Sequence, residues 1–482
     1  MDAQLQQALS DALPDAVFTP GSDAYAESVY SYFSSLAQLK PALVITPQNA
    51  ADVSTIIKIL KPFVDGRGVK IAIKSGGATP TPGAANIDGG ITIDLKHLTG
   101  IKLSADRKLV TLGVGETWGS VYAALESFAL VVAGGRSSRS SVGGQITNGG
   151  LSWLSPQVGF SCDQVTSFEV VLADGSIVTA SASDHADLWL ALRGGSNNFG
   201  IVTRVTMATL PHARIWGGSS IYMEVDWPAQ LREFATFLDE IDDPHGYLLL
   251  SIGYMGAMGR IMCKNSVYYT KLAGGCEEAN PPLPIVPFST GIPTRITPMS
   301  RLGVGSIKEF ADIEAAAKDG ARVVYMTTTF GLDLPLLNSV SEAFKATIET
   351  LKAVPGLVYS LSFQGFSMSL LSESASKGGN SLGLSPEGGP LVLMLLFSSW
   401  EASADDDLVI STQQSLIGDV DALARNKGRY FAYRFLPYAH VGQDVFTGCG
   451  DEVGTKLKSA SRKYDPDGFF QKGVPGGFKL TD

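Results

Sequence analysis

Residues 134–150 read GGRSSRSSVGGQITNGG. Six glycines and two arginines, Arg136 and Arg139, fall within this one stretch. It follows a short strand-like run, Leu130 to Ala133, and reads as a long Gly/Ser loop. Glycine lets backbone N–H groups approach a ligand with no side chain in the way. Arginine adds charge and a fork of donors suited to phosphate. The loop therefore reads as a pyrophosphate cradle, with charge from Arg136 or Arg139. A solvated surface loop is the plainer alternative.

Two further motifs flank it. Lys74-Ser75-Gly76-Gly77 closes an alternating strand in which Val69, Ile71 and Ile73 lie on one side and Lys70, Ala72 and Lys74 on the other. Paired glycines there turn backbone donors toward an anion; a strand-ending turn is the bland reading. Downstream, residues 192–203 read LRGGSNNFGIVT. A helix end, a Gly-Gly stop and a strand start are compressed into that stretch, and alone it is a helix C-cap.

Outward from these motifs the periodicity is α/β in character. Leu43 to Ile45 is strand-like, and Val53, Ile56, Ile57 and Leu60 fall on one helical face. Gly90 to Leu95 is a strand after the Asp88-Gly89 turn. Residues 117–129 predict a helix with Trp118, Val121 and Leu125 inward. Phe168 to Ala173 and Ile177 to Ala180 flank Asp174-Gly175, a strong hairpin signal. Ser183 or Asp184 is placed to cap the helix holding Leu188, Trp189 and Leu192. Gly200 to Leu210 returns as a strand that Pro211 ends. Beyond residue 212, a Pro-rich segment and a Gly/Ser loop at 378–389 interrupt strands and helices. Strands are expected at Tyr359–Gln364, Pro390–Trp400 and Tyr430–Phe435, and a helix over 451–463.

The 482 residues carry 45% hydrophobic and 17% charged side chains. That is the balance of a packed globular chain too long for one ordinary core. A net charge of -10 without a basic run argues against nucleic acid. The run Asp405 to Asp407 reads as a solvated helix start. Cys162, Cys263, Cys276 and Cys449 form no C-x-x-C pair, and His97, His185, His212, His245 and His440 lie far apart, so no metal site is expected. No apolar run reaches the ~20 residues of a membrane span. The N-terminus is polar and amphipathic rather than a signal peptide, and no asparagine sits in an N-x-S/T sequon. A cytoplasmic chain is the expectation.

Together, in this order, the three motifs resemble the FAD domain of berberine-bridge-enzyme-like flavoproteins, especially fungal ones, within the vanillyl-alcohol oxidase / p-cresol methylhydroxylase (PCMH) superfamily. Further matching stretches are LPDAVFTPGSDAY (13–25), GAANIDGGITIDL (83–95) and GFSCDQVTSFEVVLADGS (159–176). Lys463 to Gly468 and Pro475 to Phe478 complete the series. The resemblance implies an α+β protein. A PCMH-type FAD-binding domain of two α/β subdomains would occupy 1–211. A substrate domain with a mostly antiparallel sheet backed by helices would occupy 212–425. The segment 426–482 would return to the FAD domain. It further implies hydride transfer from a small molecule to flavin.

Set against that family, this chain departs at informative positions. The histidine that commonly tethers the flavin is Ala78 here, and the cysteine of bicovalent members is Ser137. The expected cofactor is therefore FAD held non-covalently, a state that in the family goes with a lower flavin potential. Positions usually glycine are Ser138, Ser141 and Asn148, each adding a Cβ near the cofactor. The family's Asn-Tyr-Ala reads Pro437-Tyr438-Ala439, and proline offers no donor.

The expected cofactor contacts are Ser75, Gly76, Gly77, Ala78 and Thr79 in the first motif. In the second they are Gly135, Arg136, Ser137, Ser140, Gly143, Gly144, Asn148, Gly149 and Gly150. Ile201 and Val202 come from the third. Tyr438 matches the family motif and is the first candidate for proton transfer. Gln364, on its strand, is placed to hydrogen-bond substrate or flavin. His440 would share a strand face with Tyr438 and titrates near neutrality. Residues 379–383 fit G-x-S-x-G but lack the strand–turn–helix context of a hydrolase. The chain thus reads as an FAD-linked oxidoreductase acting on a small, apolar secondary metabolite, by dehydrogenation or oxidative cyclisation. A redox-neutral cyclase or isomerase, for example a Diels–Alderase, is the alternative that the changes at Ala78, Ser137 and Pro437 motivate. A non-catalytic binding protein is the third reading.

Overall fold

A computed structural model describes residues 2–211, 214–272, 281–315 and 320–480. His212 and Cys276 lie outside them. Among the described residues, sheets of four, five and eight strands organise the chain, beside a two-stranded pair of Leu130–Val131 with Leu210–Pro211, and the glycine motifs sit where the larger sheets meet.

In the first sheet, Leu43–Ile45, Ile91–Asp94 and Ile71–Lys74 run parallel, and Val17–Phe18 adds antiparallel at the edge. The helix Ala50–Arg67 covers it with Val53, Ile56, Ile57, Leu60 and Val64. The Asn49 side chain caps its start, and Gly68, left-handed, ends it. Where the strand Ile71–Lys74 stops, Lys74 pairs with Asp94 of the adjoining strand at 3.1 Å, both fully buried. Ser28 Oγ donates to the same carboxylate at 2.6 Å. Burial pushes the Lys74 ammonium down against the pull of Asp94. This pair fixes the point at which the chain turns into Ser75-Gly76-Gly77.

The second sheet is antiparallel, in the order Ile101–Leu103, Leu109–Gly113, Ile201–Ala208, Val165–Val171, Ile177–Ser181. Its hairpin turns at Asp174-Gly175, where Asp174 accepts the Ser176 N–H at 2.8 Å. The third sheet has eight strands, all antiparallel, from Arg301–Gly305 at one edge to Tyr430–Phe431 at the other. Helices Trp227–Thr236, Leu334–Leu351 and Asp406–Asn426 pack on one face, over Leu250, Ile252, Leu361, Phe363, Met394 and Leu396. Period-two alternation sends Tyr247, Leu249, Gln364, Leu393 and Leu395 to the other face. Beyond it, the helix Asp451–Tyr464 returns to the helix Ala186–Leu192, with Tyr464 Oη donating to Asp187 at 2.6 Å.

Several expectations need correction. The loop 134–150 contains a short helix, Val142–Thr147. The helix over 117–129 is confined to Trp118–Glu126, because Thr117 caps it and it ends at Ser127. Neither Ser183 nor Asp184 caps the helix Ala186–Leu192: His185 holds that place, and both backbone N–H groups go instead to Ser181 Oγ. The strand expected at Tyr430–Phe435 stops at Phe431. Asp406 is not merely solvated, since it accepts from Arg322 and from Trp400 Nε1. Cys162, Cys263 and Cys449 are free and buried. Among the described residues, no group of His, Cys, Asp and Glu is arranged for a metal, and no helix is long and apolar enough to cross a membrane.

Candidate active site

A cavity of about 460 Å³ opens between the glycine motifs and the inner face of the large sheet. Its volume is ordinary for a small-molecule site. At one end the two glycine loops pack closely, each glycine against a serine of the other. A Cβ on Gly76 would lie 2.7 Å from Ser141 Cβ, and one on Gly143 would lie 2.8 Å from Ser75 Oγ. Ser75 Oγ ties the loops together by donating to the Val114 carbonyl at 2.6 Å and sharing a hydrogen bond with Ser141 Oγ at 2.8 Å. Gly77 takes φ +66°, which turns the chain under Tyr32. Among the described residues nothing accepts the backbone N–H groups of Gly76, Gly77 and Ala78. Asn148 Oδ1 is buried at the cavity wall without a partner. Clustered free donors and an orphaned acceptor fit a large polar ligand such as FAD.

The cavity brings together most of the residues expected from the sequence. Ser75 to Thr79, Arg136, Ser137, Ser140, Gly143, Gly144, Asn148, Ile201 and Val202 line it. Gly135, Gly149 and Gly150 do not. Gly135 is pressed against the Trp118 indole, which a Cβ would meet at 2.6 Å, and Gly149 against Leu382. Ser138 does not face the cofactor space either: its Cβ abuts Gly119, and its N–H bonds to the Ala311 carbonyl. Arg139 is exposed and lies off the cavity wall.

Arg136 departs furthest from expectation. Its guanidinium is engaged by the large sheet and the tail. Nη1 donates to Tyr247 Oη at 2.6 Å and to Gln364 Oε1 at 3.1 Å, and Nη2 donates to Tyr438 Oη. Tyr247 Oη donates onward to Gln364 Oε1 at 2.8 Å, and Gln364 Nε2 donates to Tyr438 Oη at 3.1 Å. Desolvation opposes the charge of Arg136, but Tyr247 and Tyr438 outweigh it, and the balance raises its pKa. Burial pushes the Tyr247 phenol up against the pull of Arg136. The result is a fixed cation surrounded by neutral oxygens.

The proton-transfer candidates separate by placement. Tyr438 lines the cavity, edge-on to Phe435 at 5.0 Å and to Tyr325 at 5.9 Å. Gln364 does not line it. It stands behind Tyr247 and Tyr438 and holds both, so it is a positioning residue rather than a ligand contact. His440 is also off the wall. The chain around Tyr438 is a 3-10 turn, Leu436–Tyr438, not a strand, so residues two apart share no face. The His440 ring faces the Val441 carbonyl at 2.8 Å, and burial lowers its pKa. Ser381 of the G-x-S-x-G stretch donates to the Leu190 carbonyl at 2.8 Å, a structural tie.

Some lining residues escaped the sequence. Tyr247, Leu249, Ser266, Tyr268, Tyr325 and Leu395 come from the inner face of the large sheet. Trp153 packs on Tyr268 with ring centroids 4.4 Å apart. Glu314 lines the cavity and accepts from Tyr268 Oη at 3.0 Å, with Lys264 Nζ at 3.7 Å. Alternation marks these strand positions as facing one side. It does not say which side meets a ligand.

Comparison with known proteins agrees with this geometry. Residues 41–181 match the FAD binding domain family. The FAD-dependent monooxygenase drtC of Aspergillus calidoustus is 32% identical over 475 residues, covering 98% of this chain and 88% of that protein. A xylooligosaccharide oxidase from Myceliophthora thermophila C1, solved with xylobiose, superposes with a TM-score of 0.78 at 19% identity over 100% of both chains. The Physcomitrella patens BBE-like 1 structure gives 0.76 at 16% identity over 99% of both.

Proposed function

Since the chain belongs to the FAD-binding oxidoreductase family that includes fungal FAD-dependent monooxygenases, we propose that it holds FAD without a covalent bond and oxidises a small, largely apolar metabolite. The observation that supports this reading is the wall itself: Ala78 and Ser137, the positions that the family resemblance gives to the tethers, both line the cavity. Neither a methyl nor a primary alcohol forms the bond to the flavin ring that histidine or cysteine forms.

FAD, when bound, supplies the two-electron acceptor for hydride leaving a substrate carbon. The chain's own residues do the rest. The turn at Gly76, Gly77 and Ala78 would present its free backbone N–H groups to the phosphates, while the N–H groups of Ser140, Val142 and Gly143 are taken by the Ser137, Glu116 and Val114 carbonyls. Asn148 Oδ1, buried without a partner, would accept from the cofactor. Leu249, Leu395, Trp153 and Tyr268 exclude water and present an apolar wall, which favours a metabolite with few charges. Tyr438 Oη is the atom at which a substrate proton is passed, and Arg136 and Gln364 hold it in place. Glu314 brings a carboxylate into the same space.

The test is the visible spectrum of the purified protein before and after acid precipitation. The expected result is a two-banded flavin spectrum that moves to the supernatant. Flavin retained in the pellet would overturn the non-covalent reading. A colourless protein that takes up no added FAD would overturn the oxidoreductase reading and leave the redox-neutral cyclase.

A further inference from the structure

The guanidinium of Arg136 is short of one thing. A charge withdrawn from water is normally offset by an opposite charge. Here all three acceptors are neutral: two phenols and an amide. Among the described residues no carboxylate stands within ion-pair distance of it. Glu314, the carboxylate on the cavity wall, is engaged by Tyr268 and Lys264 and reaches Arg136 only as a longer-range charge that helps to raise its pKa. Arginine carries five N–H donors. Tyr247, Gln364 and Tyr438 take three, and the residue lines the cavity with part of its surface still exposed. The Tyr247 ring, 5.5 Å away, backs the guanidinium and holds it in one orientation.

We propose that Arg136 is the receptor for an anionic group of the substrate, a planar oxyanion of the carboxylate or acidic-enol class. The proposal rests on the flavoenzyme reading in assigning the Arg136 end of the cavity to substrate. The neighbouring walls are aromatic and aliphatic, so the remainder of the molecule is apolar and the oxyanion is its polar handle. A rigid planar fork pre-aimed by three neutral partners binds a planar oxyanion with little ordering cost. It also gives the reaction a fixed reference point: Tyr438 Oη is bonded to the same guanidinium, so a substrate anchored there presents its reacting carbon beside that phenol.

Benzoate and tetronic acid serve as probes, a carboxylate and an acidic enol. Benzamide and the methyl ether of tetronic acid are their neutral counterparts. Each is titrated by calorimetry into the purified protein with its FAD content measured separately by absorbance. At least one anion should bind about ten- to hundredfold more tightly than its neutral counterpart, the range for a charge-assisted pair. Which one does so names the class. In Arg136→Gln that preference should vanish while the neutral compounds bind unchanged. No preference in the native protein overturns the proposal, as does a preference that survives Arg136→Gln. Loss of FAD from Arg136→Gln with anion binding unaltered also overturns it and assigns the guanidinium to the cofactor. If Arg136→Gln does not fold, Arg136→Lys replaces it: both anions should weaken, and equal binding overturns the proposal. A protein without FAD but with the anion preference would refute the flavoenzyme reading alone.

Discussion

Arg136 and Tyr438 are 302 positions apart in the chain and share a hydrogen bond at the centre of the cavity. Gln364, from the large sheet, donates to the same phenol oxygen at 3.1 Å. Three distant segments thus converge on one atom. Tyr438→Phe removes that atom and leaves the ring packing against Phe435 and Tyr325. Turnover should fall by about 10²- to 10⁴-fold, the usual contribution of a positioned proton-transfer group. FAD content, read by absorbance, should not change. Full turnover in the variant would remove Tyr438 from the chemistry.

The glycine loops lend themselves to a paired substitution. Gly76→Ala places a methyl 2.7 Å from both Cβ and Oγ of Ser141. Overpacking of this kind costs about 1–3 kcal/mol, and prising the loops apart should weaken FAD. Ser141→Gly in the same chain removes the clashing atoms and should restore much of the affinity. A fluorescence titration with FAD measures both, and an absence of rescue would count against the loop-to-loop contact.

Arg193 is fully buried. It bonds to the Cys162 carbonyl at 2.9 Å, to Asp163 at 3.0 Å and to the Lys377 carbonyl at 3.1 Å, while Asn380 donates to Asp163 at 2.8 Å. It staples the FAD-binding side to the 378–389 loop. Arg193→Met strands the Asp163 carboxylate, and breaking such a pair costs about 3–5 kcal/mol. Urea unfolding should show a correspondingly lower midpoint. A shift within the error of the native curve would mean that the pair contributes nothing net.

Lys479 gives a pH dependence. Burial pushes its ammonium down to about 7, with Asp465 pulling the other way. Nζ donates to Asn197 Oδ1 at 2.9 Å. The folded value lies below the unfolded one of about 10.4. Between them the unfolded chain holds more protons, so this group's contribution to stability rises with pH, by at most about 1.4 kcal/mol per pH unit. Thermal unfolding of the native chain and Lys479→Met at about pH 7 and about pH 9 should show the native chain gaining on the variant at the higher pH. Parallel behaviour of the two would refute the assignment.

Much of the cofactor end was legible in the sequence, for a physical reason. Gly76 and Gly143 are dictated by close packing on Ser141 and Ser75, and Gly77 by its positive φ, and a constraint on the backbone is written locally. The substrate end was not. Tyr247, Tyr268 and Tyr325 sit on strands whose two faces are both largely apolar, one under helices and one over the cavity. Periodicity separates the faces without ranking them. Arg136 was legible as a cation, but its destination depended on Gln364 and Tyr438, and nothing local encodes a partner hundreds of residues away. His440 failed because a 3-10 turn at Leu436–Tyr438 broke the two-residue period on which it relied. Ser138 was read by position alone, and the Gly119 contact decides otherwise.

The residues Gly477 and Phe478 stand in the cavity wall, and Asn198 Nδ2 binds the Phe478 carbonyl at 3.0 Å. Gly76, across the same space, is made some four hundred residues earlier in synthesis. A ribosome must therefore release nearly all of this sequence before the pocket has its full perimeter. Full enclosure of a cofactor is then a late event in the making of the chain.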